Sequence, residues 1–390
     1  MTYEESLTWL YSTQQFGIKL GLENIRGLLK ALGDPHDHLS FLHVAGTNGK
    51  GSVCAILDSI LRAAGCRTGL YTSPHLVDFR ERIRVDGTKI PREAVAGGLE
   101  VLRDLAADWA HSPTFFELAT ALALRHFAES RCELVVLETG MGGRLDATNA
   151  VVPVTSVITP VALDHTRWLG GTLAEIAGEK AGIIKPGVPV VSARQHPEAA
   201  AVLTRRAEEL ASPLCFVDGP AGGWEVALRG IHQRENAALA VAALGAAGLK
   251  ISDREVARGL RDISWPGRFQ IIEARLVLDG CHNPHAANQL LVNWKDFFGS
   301  EKATIIFGAL GDKDYPAMLE ILKPISREVF FVPVRSERST VPEALALACT
   351  VPHRIFPSAK DALDASRGKT LVTGSLFLVG EVLELLGFEP

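Results

Sequence analysis

Ser40-Phe41-Leu42-His43-Val44-Ala45-Gly46-Thr47-Asn48-Gly49-Lys50-Gly51-Ser52 reads as an apolar strand running into a loop of three glycines, a lysine and a closing serine. A helix is expected next. Val53, Ile56, Leu57, Ile60 and Leu61 recur at i, i+3, i+4, i+7 and i+8, so one apolar face should pack on a sheet. That order aims the helix N-terminus at the loop. Free N–H groups and the positive end of the helix dipole make such a junction an anion site, and glycines let the backbone curl closely around phosphate oxygens. Lys50 adds a point charge, and Ser52 can offer an oxygen to Mg²⁺. The common P-loop spacing is not met, because Val44 stands where its first glycine belongs and Gly51 separates Lys50 from Ser52. Gly46, Thr47, Asn48, Gly49, Lys50, Gly51 and Ser52 are read as an ATP-binding loop; the plainer alternative is a strand-to-helix turn without a ligand.

Outward from this loop, short runs rich in Val, Ile and Leu alternate with longer segments of helical period, the pattern of a mostly parallel sheet covered by helices. The class is α/β. Strands are expected at residues 39–44, 134–137, 154–159 and 188–192, and Ala-rich helices at 230–247 and 253–261. Ser264-Trp265-Pro266-Gly267 breaks the pattern, which resumes with strands at 276–278, 304–307, 328–332 and 370–373. Two domains are therefore expected, at residues 1–266 and 267–390. The 390 residues are 47% apolar and 22% charged with a formal charge of −5, which suits a globular protein and disfavours nucleic acid as the main partner. Six cysteines are scattered without a Cys-x-x-Cys pair, so neither a zinc site nor a disulfide framework is suggested. Glu4 and Glu5 sit where a secretory signal would be basic and apolar, and no run of 18 apolar residues follows. A cytoplasmic protein without a membrane partner is the expectation.

Val44-Ala-Gly-Thr-Asn-Gly-Lys-Gly-Ser52 resembles the nucleotide loop of folylpolyglutamate synthases and dihydrofolate synthases, members of the Mur ligase superfamily. Six further segments agree in order: Thr72-Ser-Pro-His-Leu76, Glu138-Thr-Gly-Met-Gly-Gly-Arg-Leu-Asp-Ala-Thr-Asn149, Leu163-Asp-His-Thr166, Gly178-Glu-Lys-Ala-Gly-Ile183, Pro266-Gly-Arg-Phe269 and Asp279-Gly-Cys-His-Asn-Pro284. Thr373-Gly-Ser375 is a seventh. The resemblance spans nearly the whole chain and implies a P-loop domain followed by a smaller, Rossmann-like α/β domain. It also implies an ATP-dependent ligase: a carboxylate of pteroate or folate takes the γ-phosphoryl group, and the amine of L-glutamate displaces phosphate from the acyl phosphate. Phosphoryl transfer asks mainly for positioning and charge neutralisation, which a phosphate loop, Mg²⁺ and basic side chains supply.

Other candidates combine a local reading with the resemblance. Glu138 ends an apolar run and should stand at the carboxyl edge of a buried strand, where a carboxylate suits Mg²⁺ or caps the next turn. The resemblance makes it a metal ligand alongside Ser52. His165 follows the 154–159 strand; a lone histidine is commonly structural, but the resemblance makes it a ligand of a second Mg²⁺, with Asp164 as an outer partner. Lys180 reads at first as a solvated lysine beside Glu179, whereas the resemblance implies a carbamylated lysine holding that second metal. Asn236, Arg268 and Asp279 correspond to residues that grip adenine, phosphate and ribose, although a helix-face amide, an interdomain salt bridge and a strand-end cap are the plain alternatives. His282 and Asn283 are expected near the glutamate or the acyl phosphate, with a turn stabilised by Asn-Pro as the plain alternative, and His282 is counted with Lys50, His165 and Lys180 as catalytic. Thr72, Ser73, Pro74, His75, Phe115, Phe116, Arg144 and Asp146 match segments lining a folate or pteroate pocket. Phe115 or Phe116 could stack on a flat ring, and Asp146 is the candidate for direct pterin contact.

The expected partners are small molecules (ATP with two Mg²⁺, L-glutamate, and dihydropteroate or folates), and the expected state is a monomer. Three other readings stay open at this point: a different Mur-type ligase, a P-loop kinase or ATPase, and a binding protein without catalysis.

Overall fold

The computed structural model describes residues 1–16, 21–220 and 222–388. In chain order its strands are β1 (Ser40–Ala45), β2 (Thr68–Tyr71), β3 (Ile83–Val85), β4 (Thr88–Lys89), β5 (Leu134–Glu138), β6 (Thr155–Ile158), β7 (Val190–Ala193), β8 (Leu214–Val217), β9 (Gln270–Ile272), β10 (Leu276–Leu278), β11 (Ala303–Phe307), β12 (Ser326–Phe331), β13 (His353–Ile355) and β14 (Thr370–Thr373). They form an eight-stranded sheet in the order β4-β3-β2-β5-β1-β6-β7-β8 and a six-stranded sheet in the order β13-β12-β11-β14-β10-β9. Among the described residues the antiparallel pairings are β2–β3, β3–β4 and β9–β10 alone, so both sheets are mostly parallel. The expected α/β class, with a P-loop unit and a smaller second unit, is what the chain adopts.

Strand order positions the site. From β1 the chain crosses to β2 on one side, and β6 lies on the other, so the order reverses around β1. In open α/β sheets ligands bind beyond the carboxyl ends of the strands at such a reversal. Register makes the coincidence concrete: Val44 pairs with Glu138, and Ala45 with Ile158. The glycine loop, Glu138 and the segment leading to His165 therefore leave the sheet at one level. The smaller sheet repeats the arrangement, pairing Leu278 with Val372 and Phe307 with Thr373. Asp279 to Asn283 and Gly308 to Lys313 leave its carboxyl edge together.

The helix Lys50–Ala63 differs from the one-faced helix expected. Every residue from Gly51 to Leu61 is buried, Cys54, Ala55 and Ser59 included. Helix Ile231–Ala246, itself lying on the sheet against β6 and β7, and helix Asp253–Asp262 pack against the remaining faces of Lys50–Ala63. Gly259 permits this, because a Cβ there would lie 2.5 Å from the Cα of Ile60. Asp58, buried with them, is satisfied by Arg62 and by the Thr68 hydroxyl at 2.8 and 2.6 Å.

His43 sits fully buried in β1, and burial, aided by Lys185, pulls its pKa down to about 3. Its Nε2 meets the Thr148 hydroxyl at 2.8 Å. That hydroxyl donates to Asp146, so the imidazole is the Nε2–H tautomer. The unfolded histidine takes up a proton near pH 6.5 and the folded one does not until near 3, so stability is lost as pH falls through that window. At pH 4.5 this one residue should cost about 3 kcal/mol. Urea unfolding at a series of pH values should show the slope between pH 6 and 4 flattened by about one proton in His43→Gln.

Candidate active site

Gly49 caps the helix Lys50–Ala63 with φ +91°, a conformation glycine adopts without strain. A Cβ there would also meet Asn236 Oδ1 at 2.8 Å. Gly51, the residue inserted relative to the common P-loop, has a packing reason: a Cβ would lie 3.2 Å from the indole nitrogen of Trp265, which closes over the first helical turn. The N–H groups of that turn lack acceptors within the helix and point into the loop. Earlier in the loop the backbone is already committed. Thr47 and Asn48 donate their N–H groups to Pro160 O at 3.0 and 3.3 Å. The Thr47 hydroxyl exchanges hydrogen bonds with the backbone of Ala162 at 3.0 and 3.1 Å. The free amides thus belong to the helix start, and Thr47 and Asn48 brace the loop against the strand end beside it.

Lys50 Nζ donates to Gly46 O and Thr47 O at 3.2 and 3.3 Å, folded back over its own loop. Ser52 Oγ, buried, accepts from Gln233 Nε2 at 3.3 Å, and Gln233 Oε1 accepts from Asn236 Nδ2 at 3.0 Å. Gln233, which the sequence reading did not single out, therefore joins Asn236 to the end of the phosphate loop.

Glu138 is 3% exposed at the end of β5. Burial raises its pKa; Lys50, the Ser73 N–H, Arg268 and Arg82 work against that. Its Oε2 accepts the Ser73 N–H at 2.9 Å, which ties the Thr72-Ser-Pro-His segment to the carboxylate. Arg268, from beyond the Pro-Gly break, is thus near enough to act on a carboxylate of the first sheet. Its neighbour Asp279 accepts the N–H groups of Phe269 and Cys281, both at 2.9 Å.

Lys180 is not the solvated lysine that its sequence neighbours suggest. It is 3% exposed and donates to Gly46 O at 2.8 Å, within the same loop as Lys50. Burial, and then the like charge of Lys50, bring its pKa down to about 7, so a large fraction is neutral amine near physiological pH. His165 stands in the left-handed region at φ +50°, and burial lowers its pKa to about 4. Asp164 beside it accepts Lys313 Nζ at 2.6 Å and Asn283 Nδ2 at 3.1 Å, and His282 Nε2 lies 3.6 Å away. His282 Nδ1 donates to Gly280 O at 2.8 Å, which turns Nε2 toward Asp164. Asn283 also exchanges hydrogen bonds with Asn48 at 3.0 and 3.2 Å. The carboxyl edges of the two sheets therefore meet over the phosphate loop.

Among the described residues no three His, Cys, Asp or Glu side chains cluster as a ready cation cage. Mg²⁺ does not require one, since it is commonly held by one or two carboxylates, waters and substrate phosphates. The buried Glu138 carboxylate with the Ser52 hydroxyl fits that donor type, and His165 with Lys180 fits a second cation once the lysine carries a carbamate.

The acceptor-side residues divide. Thr72 is buried, donating its N–H to Arg82 O at 3.0 Å, and the Ser73–Pro74 peptide is cis. His75 Nδ1 accepts from Arg82 Nε at 2.8 Å. Arg82 also lies 5.2 Å from the centre of the Phe115 ring, which stacks on Tyr11 at 5.7 Å and meets Phe79 edge-on at 6.2 Å. Tyr11, Arg82, His75 and Phe115 therefore form one aromatic and basic wall; Tyr11 and Arg82 are separated from the motifs in sequence and were not anticipated. Phe116 packs instead beneath Gly140, whose Cβ would lie 2.5 Å from the ring. Asp146 spends its oxygens on Thr148 and the Met141 N–H, holding its own loop. Arg144 pairs with Glu179 at 2.7 Å, on an exposed face.

Comparison with known proteins accounts for this pairing of units. Residues 44–199 match the Mur ligase middle domain, and residues 267–379 match the Mur ligase glutamate ligase domain. The dihydrofolate synthase/folylpolyglutamate synthase of Bacillus subtilis is 34% identical over 98% of this chain and 99% of its own length. The chain belongs to the folylpolyglutamate synthase/dihydrofolate synthase family of Mur ligases. Two solved members of the family superpose over almost the full length. The Mycobacterium tuberculosis folylpolyglutamate synthase, complexed with ADP and AMPPCP, does so with a TM-score of 0.92 and 30% identity, covering 100% of both chains. The Escherichia coli enzyme in complex with DHPP and ADP does so with 0.89 and 33%, covering 98% of this chain and 97% of that one. As a family member the chain is an ATP-dependent ligase. No described helix is long and apolar enough to cross a membrane.

Proposed function

We propose that this ligase joins the amine of L-glutamate to a carboxylate of dihydropteroate and of folates, through an acyl phosphate made from ATP. The carrying observation is the meeting of two strand-end edges over one phosphate loop, seen in the Asn48–Asn283 pair and in Arg268 acting on Glu138. ATP would lie with its phosphates against the free N–H groups of the helix Lys50–Ala63. Lys50 neutralises the γ-phosphoryl group as the acceptor carboxylate attacks it, and Arg268 adds charge from the second unit. Mg²⁺, held through Ser52 and Glu138, supplies further neutralisation, and a second through His165 and carbamylated Lys180. Asn236 and Asp279 are proposed for the adenine and ribose. The wall of Tyr11, His75, Arg82 and Phe115 supports a flat, anionic acceptor: two stacked rings and a guanidinium suit a pterin–benzoate. His282 is proposed beside the acyl phosphate, and the units are proposed to divide at residues 266 and 267.

The test is incubation with MgATP, L-glutamate and either dihydropteroate or a reduced folate, followed by weighing the products. Phosphate release should depend on glutamate, and each accepted substrate should gain one glutamyl residue. Release indifferent to glutamate would indicate a kinase or ATPase and sink the proposal.

A further inference from the structure

We infer that Asp164 and Lys313 form a closure clamp, a pair of positioning residues that docks the second unit onto the phosphate loop and sets the turn carrying His165. The two charges come from different sheets and are 149 residues apart, yet they meet at 2.6 Å with side chains only 7% and 6% exposed. Asp164 is the hub. Its Oδ1 accepts both Lys313 and the His165 N–H at 2.8 Å, and its Oδ2 accepts Asn283 Nδ2. Asn283 in turn holds Asn48 through paired amide bonds. One carboxylate thus connects the phosphate loop, the His165 turn and two loops of the second unit.

A buried ion pair suits a contact that must be made and broken. When the units part, water solvates both ions, so opening leaves neither charge stranded. When they close, Asp164 needs the Lys313 charge, while Lys313 keeps besides it only the partly exposed Asp312 carboxylate at 3.6 Å, so an ion left in that dry junction without its partner carries much of its desolvation penalty. Removing one partner therefore penalises the closed arrangement selectively, and removing both charges relieves the penalty.

The activity arm of the test rests on the ligase reading; the scattering arm does not. In K313M, kcat should fall on the order of 100-fold, because misplacement of about an ångström costs that much in a positioned reaction. K313R should keep most of the activity. The deciding variant is D164N/K313M, in which no buried member of the pair keeps a charge and only the partly exposed Asp312 loses a partner: it should recover at least about fivefold over K313M, as relief of a stranded charge requires. D164N alone should also be impaired, which carries the test if K313M does not fold. Small-angle scattering with AMPPCP should find K313M more extended than the parent, with the double variant in between. Near-parental activity in K313M, or the absence of recovery in the double variant, would overturn the clamp. Absence of recovery would mean that Lys313 acts on a substrate or merely on stability. If the parent shows no glutamate-dependent turnover, the ligase reading fails while the scattering comparison still judges the clamp.

Discussion

Lys50→Met should lower kcat by about three orders of magnitude while leaving the fold intact, as expected when a preorganised charge on a transferring phosphoryl group is lost. Lys50 Nζ makes two hydrogen bonds among the described residues, both to carbonyls of its own loop, so methionine removes the charge without breaking a direct ion pair, although Glu138 loses the first of the charges that oppose its burial. The same charge acts on Glu138, His165 and Lys180, three of the groups proposed for the metals. It is therefore the electrostatic centre of the site. Lys50→Arg should recover little, since a planar fork cannot replace a point charge folded over a tight loop. Glutamate-dependent phosphate release at saturating ATP measures the effect, and the melting temperature serves as control. A methionine variant keeping a tenth of the parental rate would remove Lys50 from the mechanism.

What the sequence made legible follows from the range over which each feature is encoded. β1, its glycine loop and Glu138 are local patterns: an apolar run ending in residues that cannot continue it. The strands at 134–138 and 370–373 were recoverable for the same reason. β2 was missed because Gly69 reads as a break, whereas its missing side chain makes room for Phe127, which a Cβ would meet at 2.8 Å. β3, β4, β8, β9 and β13 also escaped; they lie toward the edges of the sheets, are short and bury less, so their apolar signal is weak. In the site, the residue types were legible and their partners were not. Nothing near Lys180 in sequence announces that its amine ends on Gly46 O. Gln233 and Lys313 enter through contacts made across 181 and 149 residues, and Arg82 through its place against the Phe115 ring, on a different element. Arg144 was legible as part of a motif, yet the fold turns it to an exposed pair with Glu179, because the motif records chain order and not side-chain direction.

Lys180→Ala should cost about two to three orders of magnitude in kcat, comparable with losing a metal's anionic ligand from a phosphoryl-transfer site. An ordinary buried ammonium beside Lys50 is a poor arrangement, since burial and the neighbouring charge both disfavour it. A neutral amine that takes up CO₂ and releases a proton removes that conflict. The product, a carbamate, is anionic, so it attracts Lys50 where the ammonium repelled it. Its nitrogen keeps one hydrogen, enough to preserve the bond to Gly46 O. Enzyme equilibrated with ¹³C-bicarbonate should give a carbamate carbonyl resonance that is missing from Lys180→Ala, and short carboxylic acids should restore part of the variant's activity by standing in for the lost group. Lys180→Arg should not be rescued in this way, because its guanidinium fills the space with a permanent positive charge. An intact rate in Lys180→Ala would exclude the carbamate from the mechanism. A slow variant with no labelled resonance in the parent would instead reduce Lys180 to a brace that holds Gly46.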